Sequence, residues 1–169
     1  VMSIHNSKGL EFPVVFLAGL GGQFNDESTR GDLLLHPEAG AGMVRREPDT
    51  GKQYNTLPRQ GVALSIRRSE RAEELRVLYV AMTRAKEKLC LVMTRKDPVA
   101  DLTRLAASID GDGPLPERMV LACRSMGDWL LAAALRHPSG GQLRSLAGAE
   151  DLPLFRMPAG GGDVVPWDI

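Results

Sequence analysis

The sequence predicts an α/β fold built on a parallel sheet, and three observations carry that prediction. The run Val14-Val15-Phe16-Leu17-Ala18 is apolar without alternation, as expected of a strand covered on both faces. From roughly Val62 to Ala85 the pattern turns helical: Leu75, Leu78, Tyr79 and Met82 follow i, i+3, i+4, i+7 spacing. A second apolar run, Lys88 to Met93, reads as another buried strand. Strand and helix patterns that alternate along a chain point to parallel strands joined by a crossover.

Taken in order, Val1 to Ile4 predicts a short strand and Ser7 to Glu11 a turn, in which Gly9 tolerates backbone angles other residues avoid. Pro13 suits the first position of the following strand, and Gly19, Gly21 and Gly22 end it. From Gln23 to Gln60 the pattern weakens into an excursion rich in Gly, Pro, Asp and Asn. Within it, Met43 to Arg46 and Gln53 to Leu57 are placed to pair around "PDTG". On the helix, Arg67, Arg68, Glu70, Arg71, Glu73 and Glu74 supply a charged cover, with Tyr79 and Met82 in the core stripe. Asp97-Pro98 stops this unit.

Short helices are expected over Val99 to Ile109 and from Pro116 to Ala122. Ser125 followed by Asp128 resembles a capping box and predicts a helix from Met126 to Arg136, held by Trp129. Beyond it, "PSGG" and "PAGGGDVVP" read as linker without a core, with Phe155 or Trp167 as a docked aromatic. The expected organisation is therefore 1–97 as one α/β domain with the excursion at 23–60, 98–137 as a helical extension, and 138–169 as a linker-like tail.

Composition bounds function only loosely. The 21 basic and 21 acidic residues cancel, so overall charge neither demands nor excludes nucleic acid. Cys90 and Cys123 lie too far apart for a zinc pair, no metal site is expected, and a reducing cytoplasmic setting is the default. The apolar runs are well short of a membrane span. The chain begins mid-pattern, with no basic leader, which predicts a piece of a longer protein.

Two polar clusters stand out. "HNSKGLEF" gathers a histidine, a lysine and a glutamate around one glycine just before the first strand, and "EELRVLYVAMTRAKEKL" carries Arg84 at the helix end. Judged alone, Arg84, Lys86 and Lys88 merely complement a helix dipole, "SKG" is a weak turn signal, and a lone His5 is usually structural. Together and in this order, "SIHNSKGLEFPVVFLAGL" and "EELRVLYVAMTRAKEKL" resemble the fifth and sixth motifs of the UvrD/Rep/RecB group of superfamily-one helicases. "LLLHPEAGAG", "YNTLPRQ" and "SMGDWLLAAALRHP" are similar to the helicase–nuclease subunits of AddAB-type enzymes, AddA. The resemblance spans residues 1 to about 138. That family usually has Thr at Ser3 and often Lys at Asn6. The chain also lacks a phosphate loop, an acidic magnesium motif and a nuclease motif.

The resemblance implies part of a second RecA-like motor domain, with ATP and Mg2+ bound mainly by a first motor domain elsewhere in the same chain. It implies that Arg84 is an arginine finger, that Lys8 and Gly9 approach nucleotide phosphates, and that Glu11 accepts a hydrogen bond from the nucleotide sugar. It also implies that Ser3 and His5 face the backbone of single-stranded DNA. The implied protein unwinds and resects double-stranded DNA ends in recombinational repair beside an AddB-type partner subunit, with no membrane; this fragment alone is inactive. Two simpler readings stay open, Glu11 paired with Arg84 or Lys8 and Ser3 satisfying local backbone groups, and for Trp129, expected to anchor the last helix, stacking on a DNA base is the functional alternative. The rivals are a UvrD/Rep-like helicase without a nuclease and a degenerate, non-catalytic helicase module that scaffolds a repair complex.

Overall fold

The computed structural model describes residues 1–156. In chain order it contains β1 (Phe12–Leu17), β2 (Leu33–His36), β3 (Gly40–Arg46), β4 (Gln53–Asn55), α1 (Leu57–Met82), β5 (Ala85–Leu91), α2 (Pro98–Ala106), α3 (Glu117–Ala122), α4 (Met126–Arg136) and α5 (Gly141–Ala147). These form two compact units. The first comprises Val1–Leu10 and Phe24–Arg84, the second Glu11–Gln23 and the described chain from Ala85 to Arg156.

In the first unit, Val1 to Ile4 is not the expected strand. Ile4 has helical angles, and Ser3 O accepts from Asn6 N and Ser7 N, so the backbone curls at once into a 3-10 turn, His5–Ser7. The excursion folds as an antiparallel sheet in the order β2-β3-β4. The expected hairpin is present, pairing Val44 with Asn55 and Arg46 with Gln53. One sheet face packs on α1, where buried Leu34 and Gly42 lie on the same side as Val62. Thr56 caps α1 by accepting from Arg59 N at 3.3 Å, with Pro58 in the first turn.

Two arginines of α1 are buried, and for Arg71 this corrects the expected charged cover. Arg59 donates to the carbonyls of Thr29 and Gly31 and to Asn55 Oδ1. Arg71 pairs with Asp26 at 2.7 Å and lies 4.2 Å over the Phe24 ring. The expected core stripe of α1 needs a matching correction. Leu78 is buried, but Tyr79 is 69% exposed and Leu75 is exposed as well. The sheet covers only one side of a long helix, and residues on the far side face solvent.

In the second unit, β1 and β5 pair in parallel, aligning Val15 with Leu89 and Leu17 with Leu91. The α/β class with a parallel sheet is thus the observed one. The register shifts between Phe12 and Val14, at Pro13, which has no N–H to give to a ladder. The expectation that both faces of β1 are covered is overturned, since Phe16 is 71% exposed while Leu17 is buried. With two strands in this sheet among the described residues, one face lacks a covering layer.

Helices α2, α4 and α5 pack together around Leu102, Leu105, Ala132 and Leu135. Helix α4 spans the expected residues, with Ser125 Oγ accepting from Asp128 N. Trp129 is buried, and its Nε1 donates to Val120 O. Gly127 N donates to Leu20 O at 2.8 Å, seating α4 against the end of β1. The stretch expected as coreless linker from Pro138 instead continues as a 3-10 turn and α5. The turn-rich "PSGG" folds because Arg144 donates to the carbonyl of Leu135, a group that α4 leaves unpaired at its C-terminus, and to that of His137, which also accepts from Gly140 N. Phe155 docks beneath Arg136 and donates its N–H to Arg136 O; Trp167 lies outside the described residues.

Candidate functional site

The first cluster builds a tight turn. Leu10 N donates to Ser7 O at 3.0 Å, with Lys8 at φ −58°, ψ 125° and Gly9 at φ 82°. Those angles define a type II turn, whose third position needs glycine. A Cβ on Gly9 would meet nothing within 4 Å. The glycine is therefore required by backbone angle, and the space above it is open. Ser7 is buried and donates to Ile4 O, which pins the turn from beneath. Ser3, His5 and Lys8 are exposed.

The second cluster meets the first at this turn. Arg84 follows α1 directly and is half-buried. Its Nη1 donates to Leu10 O at 3.0 Å, so residues 74 positions apart are in contact. Its Nε donates to Val80 O at 3.0 Å and its Nη2 to Thr83 Oγ1 at 3.1 Å. Among the described residues these bonds leave one hydrogen on each terminal nitrogen. The guanidinium thus sits beside the Lys8-Gly9 bend with donors to spare, and is not sealed in an interior.

Glu11 opens the second unit. Its Oε2 lies 3.1 Å from Lys86 Nζ, and both groups are exposed. The ion-pair partner of Glu11 within this unit is thus Lys86, from the second motif itself. Ser3 Oγ accepts from Asn6 N at 3.4 Å, a long local bond that leaves its hydroxyl proton available. Arg76 pairs with Glu73, an i, i+3 surface contact.

Sequence reasoning missed the groups that hold Arg84, namely Leu10 O, Val80 O and Thr83 Oγ1. The adjacency of Thr83 and Arg84 was the available signal for the last. It also missed a charged ring in the second unit. Asp128 accepts from Arg95 at 2.7 Å, from Arg104 at 2.9 Å and from Arg124 N at 2.9 Å. Asp101 joins through both arginines. Burial pushes the Asp128 carboxyl up, but the Arg124 N–H and the two guanidiniums outweigh it and hold the group below the usual carboxylate range. Burial drives the nearby Cys123 thiol up to about 11, which keeps it protonated and unreactive. Among the described residues no three His, Cys, Asp or Glu side chains are placed to hold a metal ion, and no helix is long and apolar enough to cross a membrane.

Comparison with known protein families matches residues 1–96 to the UvrD-like helicase C-terminal domain. Among curated proteins, an ATP-dependent helicase/nuclease subunit of Desulforamulus reducens is 44% identical over 158 residues, covering 93% of this chain and 13% of that protein. The protein of the same name from Moorella thermoacetica is 41% identical over 167 residues, covering 98% of this chain and 11% of its own length. A third, from Heliobacterium modesticaldum, is 41% identical over 150 residues, covering 87% and 11%. The chain therefore spans between 11% and 13% of the length of these relatives.

Proposed function

The chain belongs to the family of UvrD-like helicase C-terminal domains, and from that premise we propose that it is part of the second RecA-like motor domain of an ATP-dependent DNA helicase–nuclease of the AddA type. The name the relatives share, which joins helicase to nuclease, supports this reading over a helicase without a nuclease. The whole protein would unwind and resect DNA ends for recombinational repair, in the cytoplasm, beside an AddB-type partner subunit. Residues 1–97 would belong to the motor and 98–137 to a helical extension. The fragment alone would neither hydrolyse ATP nor unwind DNA.

The observation that carries this reading is the Arg84 guanidinium held at Leu10 O, beside an exposed lysine and an open glycine. Phosphoryl transfer needs little covalent help from a protein; it needs positioned positive charge at the γ-phosphate. ATP, bound with Mg2+ mainly by the first motor domain, supplies the phosphoryl group and the free energy of its transfer. Arg84 would present a permanently charged planar fork to that phosphate from across the interdomain cleft. Lys8 adds charge, and the Gly9 backbone admits close approach by an anion. Because Arg84 sits at a helix end, it would engage only when the two motor domains close, which couples nucleotide state to movement along DNA. Glu11, exposed and paired only at the surface with Lys86, would accept from the nucleotide sugar. Ser3 and His5, exposed on the same turn, would contact the backbone of single-stranded DNA.

The test is Arg84→Ala in the full-length protein. DNA-stimulated ATPase is expected to fall by about a thousandfold or more, with DNA binding retained. Normal ATPase activity in that variant would reject the finger assignment, and would favour a scaffold.

A further inference from the structure

We propose that Thr83 is a positioning residue for Arg84, its hydroxyl setting the direction in which the guanidinium faces the Lys8-Gly9 bend. This assignment rests on the reading of Arg84 as the finger and adds to it the group that aims the finger.

Arg84 lies past the last residue of α1, so helix geometry alone does not orient it. A long side chain in that position samples many rotamers. Three bonds restrict it, and two of them converge on Thr83 and its neighbour Val80. Thr83 Oγ1 donates to Val80 O at 3.0 Å and accepts from Arg84 Nη2 at 3.1 Å. Arg84 Nε donates to the same Val80 O at 3.0 Å. The directions are forced, because a guanidinium has no acceptor and the hydroxyl has a single proton. Val80 O is one of the carbonyls a helix leaves unpaired at its C-terminus, which gives it lone pairs for both donors.

The result is a closed ring: carbonyl, hydroxyl, terminal nitrogen, ε nitrogen and back. It fixes the plane of the fork. The β-branch of Thr83 restricts its own rotamer, so the acceptor it offers is itself held. Thr83 N donates to Tyr79 O at 3.0 Å, which ties the residue's backbone to the helix. Leu10 O then takes the other arm of the fork. Orientation of this kind is what a charge offered across a gap requires, since misplacement of a catalytic group by about 1 Å can cost on the order of a hundredfold in rate.

The experiment uses the full-length protein and measures DNA-stimulated ATPase for Thr83→Val, Thr83→Ser, Arg84→Ala and the Thr83→Val/Arg84→Ala double variant. Valine keeps the shape and removes the hydroxyl; serine keeps the hydroxyl. T83V is expected to lower kcat about tenfold with KM for ATP changed by less than about twofold, and T83S to stay within about twofold of the parent. In the R84A background T83V should change the rate by less than about twofold, since a residue that acts through another has nothing left to act on. The proposal is overturned if T83V keeps the parental kcat, if T83S falls as far as T83V, or if T83V lowers the rate equally with and without Arg84. The last of these also identifies a folding defect. Normal ATPase in R84A would instead reject the finger reading itself, so the two failures are separate.

Discussion

The Asp128 carboxylate, itself fully buried, holds Arg95 at 2.7 Å and Arg104 at 2.9 Å, one guanidinium on each oxygen. Asp128 stands in the first turn of α4, Arg104 on α2, and Arg95 beyond the end of β5. One side chain therefore ties the parallel strands to the helices that follow them. Asp128→Asn keeps the shape and leaves two partly buried guanidiniums facing a neutral amide. Breaking a buried pair from one side typically costs about 3–5 kcal/mol. The second unit should lose on the order of 3 kcal/mol. Urea unfolding followed by Trp129 fluorescence, with Trp167 replaced by Phe, checks this; an unchanged midpoint would show that the ring adds nothing to stability.

The same carboxylate sets a pH dependence. Its folded pKa lies below the ordinary carboxylate value of about 4 that applies in the unfolded chain. A depressed carboxylate contributes stability that is fully present above the unfolded pKa and is lost as pH falls through the folded one. The parent should therefore lose stability steadily below about pH 4, and Asp128→Asn should show a flatter slope over that range. Parallel acid slopes for the two proteins would show that other groups dominate.

These features were legible to different degrees. Helix α4 was readable to the residue because its start is written locally, in Ser125 and Asp128. The β3-β4 hairpin was readable for the same reason, through "PDTG". The meeting of Arg84 with the Lys8-Gly9 bend was readable only by resemblance, since contacts 74 positions apart leave no local period. Tyr79 and Phe16 misled, because apolar spacing reports the face a residue would share with a partner and not whether the partner is present. Arg71 misled in the opposite sense, and Arg59 drew no reading. An arginine in a polar run looks solvated, and nothing local announces Asp26 or the Gly31 carbonyl. Helix α5 was hidden by glycines that resemble linker, while the arginine that seats it, Arg144, lies inside the helix.

Arg59 permits a sharper test of the excursion. Its guanidinium donates to Gly31 O from two nitrogens, at 2.7 and 3.2 Å, and also reaches Thr29 O and Asn55 Oδ1. It thereby links α1, β4 and the loop before β2. Lysine has the charge but not the fork, so Arg59→Lys cannot make these bonds together. The variant should lose about 2 kcal/mol, from buried carbonyls left without donors. Amide hydrogen exchange over residues 29–46 should accelerate more than exchange over α4. Equal protection in parent and variant would mean that water replaces the lysine's missing contacts.

Two glycines separate backbone strain from packing. Gly9 has φ 82° and open space where a Cβ would stand, so Gly9→Ala should cost about 1–2 kcal/mol from the left-handed conformation alone. Gly42 is the opposite case. Its φ lies outside the left-handed region, but a Cβ there would collide with the backbone of Pro58 and Arg59 at the start of α1. Backbone cannot swing aside as a side-chain tip can, so β3 and α1 must separate. Gly42→Ala should therefore destabilise the first unit more than Gly9→Ala, by at least about 1 kcal/mol beyond it, as overpacking typically costs about 1–3 kcal/mol. Thermal unfolding of the two variants beside the parent ranks them. A reversed order would mean that β3 approaches α1 less closely than the structure shows, and that the excursion sheet can slide on the helix that precedes Arg84.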